Sequence, residues 1–208
     1  MQRASIAVFD VGNVLIRWDP RNLYRRLFSD EAAMEHFLAT VCTPAWNVEQ
    51  DRGRTFKQAV AELSAQHPDK AELIAAYDLR WQDMVPGPVE GTADILAELQ
   101  ADGVRTFAIT NFSAEKFAES QQRFPFLASF EGVVVSAHER LIKPDPAIYR
   151  VLLTRHGLAA EDCVFIDDSH ENVLAARGVG MQAVHFVDAQ SLRPALAEAG
   201  LPVRALAG

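Results

Sequence analysis

Asp10, Asp167 and Asp168, with Thr110 and Lys143, are the residues of this 208-residue chain whose types suit ionic chemistry. Asp10 ends the apolar run Ile6-Ala7-Val8-Phe9, Thr110 ends Phe107-Ala108-Ile109, and Asp167 ends Cys163-Val164-Phe165-Ile166. A strand buried on both faces reads as such a run. If these strands are parallel, their carboxyl ends share one sheet edge, which is where open α/β sheets bind ligands. Three carboxylates gathered there would repel and raise one another's pKa unless a cation sits among them. Mg²⁺ suits that role, because it takes a few carboxylate oxygens together with water and phosphate. A carboxylate can also act as a nucleophile, splitting one hard displacement into two easier steps. A lysine and a hydroxyl can hold oxygens on which charge develops. Each residue alone also has a plainer reading. Asp10 before Gly12 fits a turn, Thr110 and Ser169 fit helix caps, and Lys143-Pro144 fits a turn.

The elements that must position these residues follow from pattern and punctuation. Apolar runs predict strands over 6–9, 104–110, 132–136, 163–167 and 183–186. Helical spacing fills the intervals after residue 91, with Ser113 as a cap and Gly157 and Gly178 as stops. Strands alternating with helices predict an α/β fold: a Rossmann-like parallel sheet with helices on both faces. Residues 16–85 carry no strand signal. Asp19-Pro20 predicts a helix start, with Leu23, Tyr24, Leu27 and Phe28 on one face. Ser29 or Asp30, then Thr43-Pro44, then Thr55, predict further helix starts, with Gly53 breaking one helix. His67-Pro68-Asp69 opens a last helix carrying Leu73, Ile74, Tyr77 and Trp81. Pro86-Gly87-Pro88 then punctuates the chain as a hinge would. The expected organisation is a discontinuous α/β core of residues 1–15 and 89–208, carrying an inserted all-helical cap of residues 16–88.

The net charge is −8 and no basic run is present, so nucleic acid is not an expected partner. A small anionic substrate would have to be met locally, by a metal or a few placed cations. Cys42 and Cys163 lie far apart with no CxxC spacing and read as two packed thiols in a reducing, cytoplasmic setting. No signal peptide and no membrane-length apolar run is legible. The composition leaves a homodimer open.

Together these motifs resemble the haloacid dehalogenase-like hydrolase superfamily. Asp10 matches that family's nucleophile, Thr110 its second-motif hydroxyl, Lys143 its third-motif lysine, and Asp167-Asp168 its fourth-motif acidic pair. The helical insert matches the position of a small helical cap. The resemblance implies Mg²⁺ held by Asp10, Asp168 and the Gly12 carbonyl. It also implies that Lys143, Thr110 and backbone N–H groups near Asn111 and Gly12 grip the phosphoryl oxygens. Asp167 would orient Lys143 or a metal water, and Asn172 would orient these groups in turn, with a polar residue in a first helical turn as its plainer reading.

One departure matters. Most phosphatases of the family carry a second aspartate two residues after the nucleophile, as general acid and base. Here that position is Gly12, in Asp10-Val11-Gly12-Asn13-Val14. The resemblance then implies a Mg²⁺-dependent phosphatase whose leaving group needs little acid help. A sugar phosphate is the leading substrate, since the Asp-x-Gly-Asn branch includes sugar-1-phosphate phosphatases. One alternative is a metal-free 2-haloacid dehalogenase, which needs no acid but has neutral residues in place of Asp167-Asp168. Another is a catalytically weak binding or regulatory member of the fold. His170 is a candidate replacement proton donor. The break at Gln50-Asp51-Arg52-Gly53-Arg54 sits where related caps dip into the site. Arg52 or Arg54 could meet a second anionic group there and Trp46 could stack on a ring, against the plainer readings of solvated arginines and a core tryptophan.

Overall fold

In the computed structural model, residues 4–203 are described. Five strands form one sheet: β1 (Ile6–Phe9), β2 (Arg105–Thr110), β3 (Gly132–Val135), β4 (Cys163–Asp167) and β5 (Gln182–His185). All pairings are parallel, in the order β3-β2-β1-β4-β5. The expected α/β class is therefore what the chain adopts. Helices α1 (Arg21–Tyr24), α2 (Glu31–Thr40), α3 (Pro44–Asp51), α4 (Phe56–Gln66) and α5 (Ala71–Leu79) all lie between β1 and β2. They are followed by α6 (Thr92–Ala101), α7 (Ala114–Arg123), α8 (Ser136–Glu139), α9 (Pro146–His156), α10 (His170–Gly178) and α11 (Ala189–Ala199).

The central strand shows why its sequence is uniformly apolar. Ala7 and Phe9 join a core on one face of the sheet, and Ile6 and Val8 join a second core on the other. No position on β1 faces water, so no polar residue is tolerated until the strand ends at Asp10. The first of these cores continues into the inserted helices through Tyr24, Phe37, Phe56 and Tyr77.

The helix starts read at Asp30, Thr43, Thr55 and Ser113 are local and hold, whereas α1 begins at Arg21 with Pro20 as its cap and a 3₁₀ turn, Pro68–Lys70, precedes α5. Asp30 accepts from Ala32 N–H and Ala33 N–H, Thr43 from Trp46 N–H, Thr55 from Gln58 N–H and Ser113 from Lys116 N–H. Two extents differ. The first helix stops at Tyr24, and 3₁₀-like bonds from Arg26 N–H to Leu23 O and Leu27 N–H to Tyr24 O tighten the chain there. This turns the Phe28 ring to within 5.5 Å of Phe37. Likewise α5 ends at Leu79, and Trp81 falls in a 3₁₀ turn, Trp81–Met84, that carries its ring to Phe112. Ser136, read as the end of a strand, instead opens α8.

The inserted helices join the sheet through two chain segments that run side by side. Ile16 bridges to both Gly12 and Pro88, Arg17 N–H donates to Gly87 O, and Val89 N–H donates to Leu15 O. Asn13 takes a left-handed φ of 55° here, and its Oδ1 accepts from Trp18 N–H at 2.9 Å. The helical layer then rests on residues that follow the carboxyl ends of β2 and β3. Trp81 meets Phe112 with ring centroids 5.4 Å apart. Phe56 N–H donates to Glu115 Oε1, and Lys116 Nζ bridges Asp78 of α5 at 2.7 Å and Glu119 of α7 at 2.8 Å. Ser136 Oγ donates to Asp51 O at 2.6 Å and accepts from Phe112 N–H at 2.9 Å. Cys42 and Cys163 are buried, free thiols. Among the described residues no helix is long and apolar enough to cross a membrane.

Candidate active site

In the order β3-β2-β1-β4-β5 the crossovers run outward in opposite directions from the centre, so the crevice opens at the ends of β1 and β4. Phe9 is in register with Ile166, and Asp10 N–H donates to Ile166 O at 2.8 Å. The next residues, Asp10 and Asp167, are thereby neighbours at the edge. Lys143 sits between them: its Nζ lies 2.8 Å from Asp10 Oδ1 and 2.7 Å from Asp167 Oδ2. All three are buried.

Further contacts fix these groups. Asn172 Nδ2 donates to both carboxylate oxygens of Asp167, at 3.0 and 3.1 Å. The Asn172 carbonyl in turn accepts from the buried Tyr149 hydroxyl. Asn111 clamps the Lys143 backbone, accepting from its N–H at 2.8 Å and donating to its carbonyl at 3.1 Å. The Lys143-Pro144 peptide bond is cis. Thus Asn111 positions Lys143 through its main chain, and Asn172 positions Asp167.

Asp10, Asp167 and Asp168 each offer a carboxylate oxygen within 4.8 Å of the others. Burial raises the Asp10 carboxyl, Lys143 draws it back, and the Asp167 and Asp168 charges raise it again, leaving it above its ordinary value. Asp168 is raised by burial and by Asp167. Burial acts to lower Lys143, but Asp10 and Asp167 overcome this and hold it above its ordinary value. One ammonium thus faces three carboxyl groups. The hard, all-oxygen donor set with unbalanced negative charge fits a divalent cation such as Mg²⁺. The buried hydroxyl of Thr110 has no hydrogen-bond partner, which leaves a polar atom at the end of β2 for a ligand to satisfy.

Beside the cluster, at Gly12 and Asn111, lies a cavity of about 90 Å³ whose lining also includes Asn47, Asp51, Trp81 and Phe112. Asp51 is the last residue of α3. Burial, then the Asp10 charge, push its carboxyl up to about 7, with Lys143 opposing. Gly12 is not among the glycines with positive φ, and a Cβ placed on it would meet nothing within 4 Å.

The other nominated residues lie elsewhere. Arg52 is exposed and pairs with Glu49 at 3.4 Å. Arg54 donates to Gln50 Oε1 and Trp46 O and pairs with Glu62, all within the inserted helices. The Trp46 ring packs edge-on against Tyr77 and Phe56, and its Nε1 is buried without a partner. His170 is exposed beside His185 in the first turn of α10. The structure brings none of these four to the cavity lining. Asp51 is not singled out by the sequence, although the break containing it is.

Residues 31–186 match the model of the haloacid dehalogenase-like hydrolase family, and the chain belongs to that family. A sesquiterpene phosphatase of Aspergillus oryzae is 28% identical over 183 residues, spanning 88% of this chain and 89% of its own. A phosphoserine phosphatase of Thermus thermophilus is 29% identical over 180 residues, spanning 83% of this chain and 70% of its own. Among solved structures, a family enzyme of Bacteroides thetaiotaomicron in complex with magnesium and inorganic phosphate superposes with a TM-score of 0.69. It is 18% identical and the match covers 89% of this chain and 95% of that one, a likeness of fold.

Proposed function

We propose that the chain is a Mg²⁺-dependent phosphatase of small phosphorylated metabolites, with a sugar phosphate the foremost candidate, acting through an aspartyl-phosphate on Asp10. The observation that carries this reading is the charge arrangement. Asp10, Asp167 and Asp168 converge on one point while Lys143 offsets a single charge. Two relatives named as phosphatases support phosphate esters as the substrate class. We take residues 16–88 as the cap over a core of residues 1–15 and 89–208.

Asp10, Asp168 and the Gly12 carbonyl would hold the Mg²⁺, which when bound neutralises charge on the phosphoryl group. The chain's own residues do the rest. Asp10 attacks phosphorus, and the buried, positioned carboxylate is presented without reorganisation. Lys143 and Thr110 bind the equatorial oxygens as charge grows, and the unpartnered Thr110 hydroxyl gains its missing partner. Asp167, fixed by Asn172, keeps Lys143 charged and aimed. A metal-free dehalogenase is disfavoured by the same acids. Burial first, and then the Asp167 and Asp168 charges, raise the Asp10 carboxyl, and without a cation only Lys143 opposes them.

The test is phosphate and halide release from a panel of phosphate esters and 2-haloacids, each with Mg²⁺ or with EDTA. Phosphate release that requires Mg²⁺ and disappears in Asp10→Asn is expected. Halide release in EDTA, or normal turnover by Asp10→Asn, overturns the reading.

A further inference from the structure

The departure at Gly12 leaves the reaction without a proton donor for the leaving oxygen and without a base for the attacking water. An in-line displacement by Asp10 sends the leaving oxygen away from the sheet edge, into the space the helical layer covers. The cavity beside Gly12 is walled both by the sheet edge, at Gly12, Asn111 and Phe112, and by the inserted helices, at Asn47 and Asp51, and Asp51 is the one titratable residue among those lining it. Its carboxyl makes no hydrogen bond or ion pair among the described residues, so both oxygens remain for a ligand.

We infer that Asp51, contributed by the inserted helices, is the general acid and base of this enzyme, replacing the aspartate that Gly12 displaces. The inference rests on the phosphatase reading above. In the first step Asp10 Oδ forms a bond to phosphorus, and the bond from phosphorus to the leaving oxygen breaks. The electron pair stays on that oxygen, which takes the proton of the Asp51 carboxyl and departs as a neutral alcohol. In the second step the Asp51 carboxylate takes a proton from water as the water oxygen attacks phosphorus. The bond from phosphorus to Asp10 breaks, releasing phosphate and restoring both the Asp10 carboxylate and the Asp51 acid.

Three features of the local structure fit this role. Asp51 stands at the carboxyl end of α3, where the helix dipole disfavours a negative charge and favours the acid form. Burial and Asp10 act in the same direction. Its backbone is pinned over the site, because Ser136 Oγ donates to Asp51 O at 2.6 Å. Two residues on, Gly53 takes a φ of 103° and passes so close to α8 that a Cβ there would lie 2.9 Å from Ala137 O. Only a glycine allows the chain to turn this near the sheet edge. The acid is therefore in place only while the helical layer is docked, so proton transfer and exclusion of bulk water are coupled.

Leaving-group dependence tests the inference, since p-nitrophenolate leaves without a proton and an alkoxide does not. Glycerol 2-phosphate and p-nitrophenyl phosphate are compared in wild type, the near-isosteric Asp51→Asn and the smaller Asp51→Ser, with thermal unfolding confirming that each variant is folded. Both variants are expected to lose about 10²–10⁴-fold in kcat/KM on glycerol 2-phosphate. On p-nitrophenyl phosphate they release close to one equivalent of p-nitrophenolate rapidly, then turn over slowly because water lacks its base. Equal losses on the two esters without that burst, or no loss on either, overturn the Asp51 role alone. A wild type that releases phosphate from neither these esters nor any other phosphate ester of the panel overturns it together with the phosphatase reading.

Discussion

At the scale of single residues, the glycine two positions after the nucleophile is informative because it is not conformationally required. Gly12 lacks a left-handed φ and has open space where a side chain would begin. A side chain can begin there without strain, so the arrangement should be exchangeable: Gly12→Asp in an Asp51→Asn background is expected to regain a substantial part of the lost kcat/KM on alkyl phosphates. The measurement is the ratio of alkyl to aryl phosphate kcat/KM, which should rise at least tenfold over Asp51→Asn alone. A second prediction concerns pH. The carboxyls of Asp10 and Asp51 stand above their unfolded values, the latter up to about 7. Between pH 4 and 7 the folded, metal-free protein keeps protons that the unfolded chain has already lost. The stability these groups contribute is complete below pH 4 and is lost as pH rises toward 7. In EDTA, Tm should fall from pH 5 to pH 8, less steeply in Asp10→Asn, and Mg²⁺ should raise Tm more at pH 8 than at pH 5. An identical slope in wild type and Asp10→Asn would refute the assignment of that loss to Asp10. The sheet-edge cluster was legible in the sequence because Asp10, Thr110 and Asp167 each end an apolar run. Asp51 was not. With an anionic substrate in mind, charge complementarity pointed to Arg52 and Arg54, and a fourth carboxylate facing three others reads as repulsion. Its use becomes visible only once its burial over Gly12 is known.

At the scale of elements, what was local in the chain was readable and what depends on packing was not. Thr43, Thr55 and Ser113 announced their helices because a side chain three residues away suffices to cap them. The end of α1 at Tyr24 and the 3₁₀ turn at Trp81 are set by where the rings of Phe28 and Trp81 find partners. Helical spacing does not pair Phe28 with Phe37 across the break between α1 and α2, and Phe112 lies far along the chain from Trp81. The junction between α3 and α8 is of the same kind and carries a prediction. Gly53→Ala forces an L side chain into a left-handed backbone and against the Ala137 carbonyl. The strain of about 1–3 kcal/mol is expected to be relieved by lifting the α3 end from α8. That displaces Asp51 and lowers kcat on alkyl phosphates by about tenfold or more, while Mg²⁺ binding followed by calorimetry stays as in wild type. An unchanged kcat would show that the loop tolerates the residue without moving.

For the whole molecule, the phosphatase reading proposed above makes the helical layer the wall that a leaving group meets. The cavity beside Gly12 is about 90 Å³ and its walls carry no cationic side chain. A leaving group with a second negative charge would face Asp51 unopposed, so neutral leaving groups are favoured, and anything bulky enters only when the layer lifts. The contacts that hold the layer down have a property that bears on this. Ser136 Oγ, which donates to Asp51 O, also lies 3.3 Å from the carbonyl of Phe112 on its own side of the junction. Lys116, which reaches across to Asp78, keeps Glu119 one turn away on α7. When the layer departs, neither the hydroxyl nor the ammonium is stranded, because each turns to an acceptor it already neighbours. For these two groups undocking forfeits the difference between two polar contacts rather than a whole one, whereas the Phe56 N–H contact to Glu115 and the Arg123 contact to Gln82 O are lost outright. The polar seam therefore adds little to the cost of parting, and most of that cost lies in the apolar contacts the layer shares with the sheet, Trp81 on Phe112 among them.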